Sequence, residues 1–360
     1  MPAMRAASRV VLALACSLAL AALASGCGGG SGSGSTGGSG SPESRPAPPK
    51  SAFPSAEGKT LRQLLKAADA PSELVVSPAA RVFYEGENRF PFGVFERDRT
   101  QVSDAEIALY IAKAPAPKPG QEKSGSKGPA AAATAQALDE PAAGPFPASI
   151  ESLVTEAAFR AKTTSDDPDA ASVVYSTELD FPSNGEWAIA ALVREGGEIE
   201  GALLSSVVAG EFDSVPRPGQ KAPRIHTPTA GDVGGDLSQI DTRIPPDTQH
   251  QVDYADVLGK EPIVLLFATP QFCESRVCGP VVDVAEQVKQ EYGDEAAFIH
   301  MEIWQDNQPG TKVHPQVRAF NLPNEPWLFV VDREGEISST LQGAFGPEAL
   351  SAAVKKAVGE

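Results

Sequence analysis

The clearest hydrophobic pattern along the chain lies near its end. Ile263 to Phe267 is an unbroken apolar run, as in a strand buried on both faces. Val281, Val284, Ala285 and Val288 then recur at helical spacing and stop near Tyr292-Gly293. Ala297 to Trp304 predicts a second strand, Gln316 to Phe320 a helix or turn, and Trp327 to Val331 a third strand. The turn Asp332-Arg333-Glu334-Gly335 leads into a fourth strand, Glu336 to Leu341. Glu348 to Val358 sets Leu350, Ala353, Val354 and Ala357 on one face and closes the chain as an amphipathic helix. This alternation predicts an α/β domain over residues 260–360.

Upstream, from Glu73 to Gly210, the pattern changes to short β-type runs between turn residues. Leu74 to Val76, Arg81 to Tyr84, Phe92 to Phe95, Ile107 to Ile111, Val173 to Tyr175, Trp187 to Val193 and Leu203 to Val208 qualify, with turns at Pro182-Ser183-Asn184-Gly185 and Glu195-Gly196-Gly197. About seven such strands predict an antiparallel sandwich over residues 61–215, which resembles the immunoglobulin-like class. A helix is predicted near Ile150 to Ala161. Residues 114–147 carry Ala, Pro, Lys and Gly without a periodic apolar face and predict a disordered insertion. Residues 216–259, beginning Pro216-Arg217-Pro218-Gly219 and including His226 and His250, predict a polar connector. The expected fold class is multi-domain, an N-terminal all-β sandwich followed by a C-terminal α/β domain.

The first residues belong to neither pattern. Arg5 and Arg9 precede an apolar run from Val10 to Ala24, which predicts a secretory signal peptide over residues 1–26. Ser25-Gly26-Cys27 resembles the bacterial lipobox, which implies lipidation of Cys27 and a covalent membrane anchor. Leu23 stands one place further from the Cys than in that motif, and simple secretion is the alternative; Cys16 is lost with the leader either way. Gly28 to Ser41 is Gly, Ser and one Thr, so residues 27–60 predict a flexible tether with a reach on the order of 30 Å.

Charge narrows the partners. With 30 basic and 47 acidic side chains, the net charge of −17 excludes the basic footprint of a nucleic-acid binder and electrostatic attachment to anionic lipid. After the leader no stretch approaches the roughly 20 apolar residues of a membrane span. Four cysteines are too few for a disulfide-dense scaffold. Export would place Cys273 and Cys278 outside the reducing cytosol, where a disulfide between them persists.

Val264 to Pro280, with Cys273 and Cys278-Gly279-Pro280, resembles the strand, loop and helix start of the thioredoxin superfamily. Leu322-Pro323-Asn324-Glu325-Pro326-Trp327-Leu328-Phe329 is similar to its cis-proline segment, which implies that Pro326 faces the dithiol. The resemblance covers residues 260–360 and implies a thioredoxin-like domain. The spacing departs from the family, with four residues between the cysteines instead of two. Either Cys273 attacks and Cys278 resolves across an insertion, or Cys278 takes the first position of the motif and Val281 replaces the second Cys. At a helix start the macrodipole would favour a thiolate on Cys278, with Arg276 adding to this and Glu274 opposing it.

The expected function is thiol–disulfide exchange with exported protein thiols or disulfides through Cys273 and Cys278, the sandwich recruiting the partner. One alternative is a non-catalytic scaffold with a structural disulfide, although closing so short a loop is worth only about 2 kcal/mol. Another is copper handling, from a resemblance to Sco-type proteins, which implies two thiolates and one His. Where that His would fall the sequence has Glu325-Pro326, and His300 and His314 read as strand and loop residues. A peroxiredoxin-like Thr269-to-Cys273 loop is one residue too long. No cofactor and no metal ligand is assigned.

Overall fold

The computed structural model describes residues 42–115, 134–195, 197–273 and 275–359, all within one unit, Ser41–Glu360. The expected leader, Cys16, Cys27, the Gly/Ser run through Ser41, Glu274 and residues 116–133 lie outside the described residues. Among the described residues, no helix is long and apolar enough to cross a membrane.

Among the described residues, fourteen strands form three sheets. In the first, β1 (Ala70–Pro71), β9 (Glu198–Leu203), β8 (Gly185–Glu195), β4 (Glu106–Lys113) and β5 (Ala143–Pro147) lie in that order, with β10 (Val207–Ala209) also pairing β8. The second runs β2 (Val75–Pro78), β3 (Gly86–Phe95), β7 (Val173–Phe181), β6 (Ser149–Ser152), antiparallel throughout. Their facing sides share one core, with Phe90, Phe92 and Tyr175 on one sheet meeting Ile107, Leu109, Ile189 and Val193 on the other. This is a two-sheet β-sandwich.

The near-continuous apolar run of β4 has a local cause. Ile107, Leu109 and Ile111 face the sandwich core, while Ala108, Tyr110 and Ala112 face Leu61 and Leu64 of helix α1 (Leu61–Ala67). A strand covered on both sides needs no polar face. Helix α1 starts with a capping box, in which Thr60 accepts from the Gln63 amide and Gln63 accepts from the Thr60 amide.

The third sheet, β12 (Ala297–Met301), β11 (Ile263–Phe267), β13 (Trp327–Val331), β14 (Ile337–Gln342), pairs β11 parallel to β12 and antiparallel to β13, with β14 antiparallel at the edge. Helices α4 (Cys278–Tyr292) and α6 (Pro347–Val358) cover one face, burying Val281, Val284, Val288, Leu350 and Val354 against Val264, Leu266, Leu328 and Val330. This strand order, with its crossover helix and antiparallel second half, is the thioredoxin-like arrangement.

Several sequence expectations change. Residues 216–259 are not a polar connector: Ile225, Tyr254 and Val257, the last two on α3 (Tyr254–Val257), bury against Leu265, Phe267 and Phe329 on the second face of the sheet. That face is apolar and has no long helix of its own, so this segment and α5 (Pro315–Ala319) cover it. The insertion expected over 114–147 ends early, because Ala143–Pro147 is strand β5 on β4. The helix expected near Ile150 to Ala161 is instead β6 followed by turns, with only the short α2 (Lys162–Ser165) after it. Ile150 enters the sandwich core at strand spacing. The run at Arg81 to Tyr84 makes a single bridge, Phe83 to Ala209, rather than a strand.

The sandwich and the third sheet meet through polar contacts, most of them part-buried. Gln342 accepts from the amides of Arg81 and Val82 at 3.1 and 3.0 Å, and Arg89 spans Glu151 at 2.7 Å and the Ala344 carbonyl at 3.0 Å. At Gly343, with φ +66°, an added Cβ would lie 2.0 Å from the Ala79 carbonyl oxygen, so only glycine permits this approach.

Candidate active site

The loop between β11 and α4 carries Cys273, leads into Cys278 and is pinned from three sides. The Ala268 amide donates to the Met301 carbonyl, the Thr269 amide to Glu325 Oε2 at 2.8 Å, and the Gln271 amide to Thr242 Oγ1 at 3.2 Å. The Ala171 amide, ahead of β7, donates to the Arg276 carbonyl at 3.1 Å. A loop held this way presents its side chains in one geometry.

Cys273 and Cys278 are joined as a disulfide with Cα atoms 5.8 Å apart, within the usual range. Their environments differ. Cys278 is the first residue of α4 and has no exposed surface, packed into the core with Val281 and Val282. Cys273 is only partly buried and lines a cleft of about 440 Å³, shared with Lys162, Asp166, Ile244 and Arg276. Of the two sulfur-bearing residues, Cys273 is the one open to outside molecules.

Cys278 opens the helix as the sequence suggested, and the helix terminus also serves Cys273. The Cys278 amide, at the N-terminus of α4, donates to Cys273 Sγ at 3.3 Å. Ser275 Oγ lies 3.1 Å from the same sulfur. A donor at the positive end of a helix stabilises a thiolate in front of it. The Arg276 guanidinium, on the wall of the same cleft, pairs with Asp169 at 3.1 Å.

Gly279 has a packing reason. A Cβ there would stand 2.9 Å from Thr164 Oγ1 on α2, so the sandwich region closes directly on the first turn of α4. Pro280 lacks an N–H and needs no acceptor in that first turn.

The Glu325–Pro326 bond is cis, and Pro326 immediately precedes β13, hydrogen-bonded through its carbonyl to the Gly343 amide at 2.9 Å. Glu325 Oε2 lies 3.6 Å from Cys278 Sγ. Sequence reasoning noted Glu325 only as a departure from the copper family and missed its place beside Cys278. A carboxylate oxygen thus stands where the copper resemblance called for an imidazole.

Behind this loop lies a second polar cluster. Asp241, Asp247, His250 and His300 are all buried and bring one ligand-type atom each within 4.8 Å of the others. His300 Nδ1 is 2.7 Å from Asp247 Oδ2, and its Nε2 is 3.0 Å from the Ala268 carbonyl oxygen. Both partners only accept, so both ring nitrogens donate. Burial works against that charge, but Asp247, helped by Asp241, pushes the His300 pKa up to about 10. Burial likewise opposes ionisation of Asp247, and the imidazolium holds its pKa down at about 2. His300 sits on β12 as the sequence suggested, with partners that no local pattern announced.

No protein-family model matches the sequence, and no curated protein matches it. Among solved structures, similar chains include a thiol:disulfide interchange protein of the thioredoxin family from Chlorobium tepidum TLS, at 19% identity over 39% of this chain and 97% of that one, TM-score 0.28. Another is a candidate thiol:disulfide interchange protein DsbE from Chlorobium tepidum, at 17% identity over 40% and 99%, TM-score 0.29. A thioredoxin-like superfamily protein, SPOA0173, matches at 16% identity over 31% and 87%, TM-score 0.25. The likeness is confined to part of this chain, and the strand order of the third sheet carries the fold assignment.

Proposed function

We propose that the protein is an extracytoplasmic thiol–disulfide exchange protein, anchored through a lipid on Cys27, that acts on exported protein thiols or disulfides. The observation that carries this reading is the asymmetric pair itself. Cys273 opens to a cleft and receives a helix-terminal amide, while Cys278 is buried beside a carboxylate. The leader-like run, the Gly/Ser tether and two cysteines suited to an oxidising compartment support the location.

In the reducing direction, the Cys273 thiolate attacks one sulfur of a partner disulfide. A mixed disulfide forms and the partner's other sulfur leaves as thiolate. Cys278 then gives its proton to Glu325 Oε2, and its thiolate attacks Cys273 Sγ. That step breaks the mixed disulfide, frees the second partner thiol and restores Cys273–Cys278, two electrons having passed to the partner. The same steps in reverse deliver a disulfide. Pro326, which follows Glu325 and precedes β13, is the segment against which the partner chain would lie. The sandwich, read as immunoglobulin-like, contributes Lys162 and Asp166 to the cleft wall and so takes part in recruiting the partner.

The test is reduction of a model protein disulfide by the reduced protein, with single-turnover resolution of a preformed mixed disulfide as the second readout. Glu325→Gln keeps an acceptor for the Thr269 amide but is a far weaker base. It should slow resolution at neutral pH by about 100-fold, the low end for general-base catalysis, while leaving the first attack by Cys273 nearly unchanged. Equal slowing of both steps would remove Glu325 from the proton path, and no turnover by wild type would remove the exchange reading.

A further inference from the structure

The buried cluster behind the Cys273 loop has the composition and spacing of a metal centre. We propose that Asp241, Asp247, His250 and His300 form a closed structural site for a divalent first-row cation, with zinc(II) the best fit. The exchange chemistry does not require this site, and the two readings stand or fall separately.

Geometry is the first support. His250 Nε2 is 3.4 Å from Asp241 Oδ2 and 3.3 Å from Asp247 Oδ1, distances without hydrogen-bond alignment. Ligands about 2.0 Å from a tetrahedral zinc are separated by roughly 3.3 Å, so these contacts match the edges of a coordination tetrahedron. His300 Nδ1 faces the same two carboxylates, at 2.7 Å from Asp247 Oδ2 and 3.8 Å from Asp241 Oδ1.

The second support is a buried polar side chain without a hydrogen-bond partner. The His250 side chain is fully buried, and neither of its ring nitrogens makes a hydrogen bond. Leaving such a group unsatisfied in the interior is costly, and coordination through Nε2 removes part of that cost.

The surrounding shell orients these atoms. His300 donates Nε2–H to the Ala268 carbonyl, which turns Nδ1 toward the carboxylates, the usual arrangement for a ligating imidazole. Asp241 accepts from the amides of Arg243 and Asp247, and Asp247 accepts from the Gln249 amide. Loading the site replaces the proton on His300 Nδ1 with the metal, and that proton leaves to solvent.

Charge points the same way. Asp241 and Asp247 are buried carboxylates, and Glu302, also buried, accepts from the Thr242 amide. Arg243, the nearest guanidinium in sequence, is committed elsewhere, to Asp283 and to the carbonyls of Pro245 and Phe159. A dipositive ion balances two buried carboxylates. Four protein ligands and no exposed face leave no open coordination position, which assigns a structural role. The ion would tie the 241–250 segment to β12 and to Ala268, and so brace the loop that leads to Cys273.

The test uses the chelator-treated full chain with its disulfide intact and the thiols of Cys16 and Cys27 alkylated, so that no thiolate competes. Titration with cobalt(II) as an optical probe should saturate at one equivalent, with visible bands of tetrahedral intensity and no sulfur charge-transfer band, and one equivalent of zinc(II) should bleach them. X-ray absorption of the zinc-loaded protein should show only nitrogen and oxygen neighbours, including two imidazoles. His250→Gln should weaken binding by at least about 100-fold. The proposal is overturned if the folded wild type shows no saturable one-equivalent band, if sulfur lies in the metal's shell, or if folded His250→Gln binds as tightly as wild type.

Discussion

Cys278→Ala should turn the protein into a trap. The variant keeps the Cys278 backbone amide, which donates to Cys273 Sγ, so the attacking thiolate retains its stabilising donor. It loses the only sulfur among the described residues placed to break the mixed disulfide, so partners remain bound to Cys273. Turnover should fall to the background rate, while mixed-disulfide species accumulate on non-reducing gels of the cell envelope. Packing allows the substitution, since the replaced side chain is small and exchanging a buried thiol for a methyl group removes about one heavy atom from the core. The converse change, Cys273→Ser, should capture nothing, because Cys278 has no exposed surface to offer a partner. If Cys273→Ser captured partners and Cys278→Ala did not, the roles of the two residues would be exchanged.

Arg243→Met should be the most destabilising single change near the site. The guanidinium donates to Asp283 at 3.0 Å, to the Pro245 carbonyl at 2.9 Å and to the Phe159 carbonyl at 2.5 Å, and both partners of the ion pair are buried. It joins the segment before α2, the 241–250 segment and helix α4. Removing one partner of a buried pair typically costs about 3–5 kcal/mol, because the other charge stays behind unpaired. Methionine preserves most of the volume, which isolates the electrostatic loss. Burial already raises the Asp283 pKa and Arg243 opposes it, so the variant lifts that pKa further. A carboxyl whose folded pKa exceeds its unfolded value binds its proton more tightly in the folded state. The penalty should therefore be full above the raised pKa and shrink as pH falls through it. Urea unfolding near pH 8 and near pH 5 measures both; a loss below about 1 kcal/mol, or one that grows at lower pH, would contradict this account.

What the sequence could show depended on how each segment is buried. β11, β13, α4 and α6 were legible because both faces of the third sheet are covered and the helices keep one apolar stripe. β5 was not: its Ala-Gly-Pro-Phe-Pro sequence reads as a loop, and only its place beside β4 makes it a strand. β6 was read as part of a helix because Ile150 and Leu153 alone do not distinguish the two periods. The cysteine pair and Pro326 stood out through the superfamily resemblance. The direction of the helix amide, toward Cys273, depends on the loop conformation and left no local mark. The buried acid–imidazole cluster was the least visible feature. Asp241, Asp247 and His250 lie in a stretch whose polarity resembles a solvated linker, and His300 joins them from β12 through tertiary folding alone.

The central claim is that Cys273–Cys278 is a working redox couple, and its reduction potential tests that most directly. Equilibration with glutathione or thioredoxin buffers, read by thiol-specific mass labelling, should place it between about −270 and −120 mV, the span of the exchange proteins. A value below about −300 mV would mark a structural bond that biological thiols leave intact, and would contradict the account.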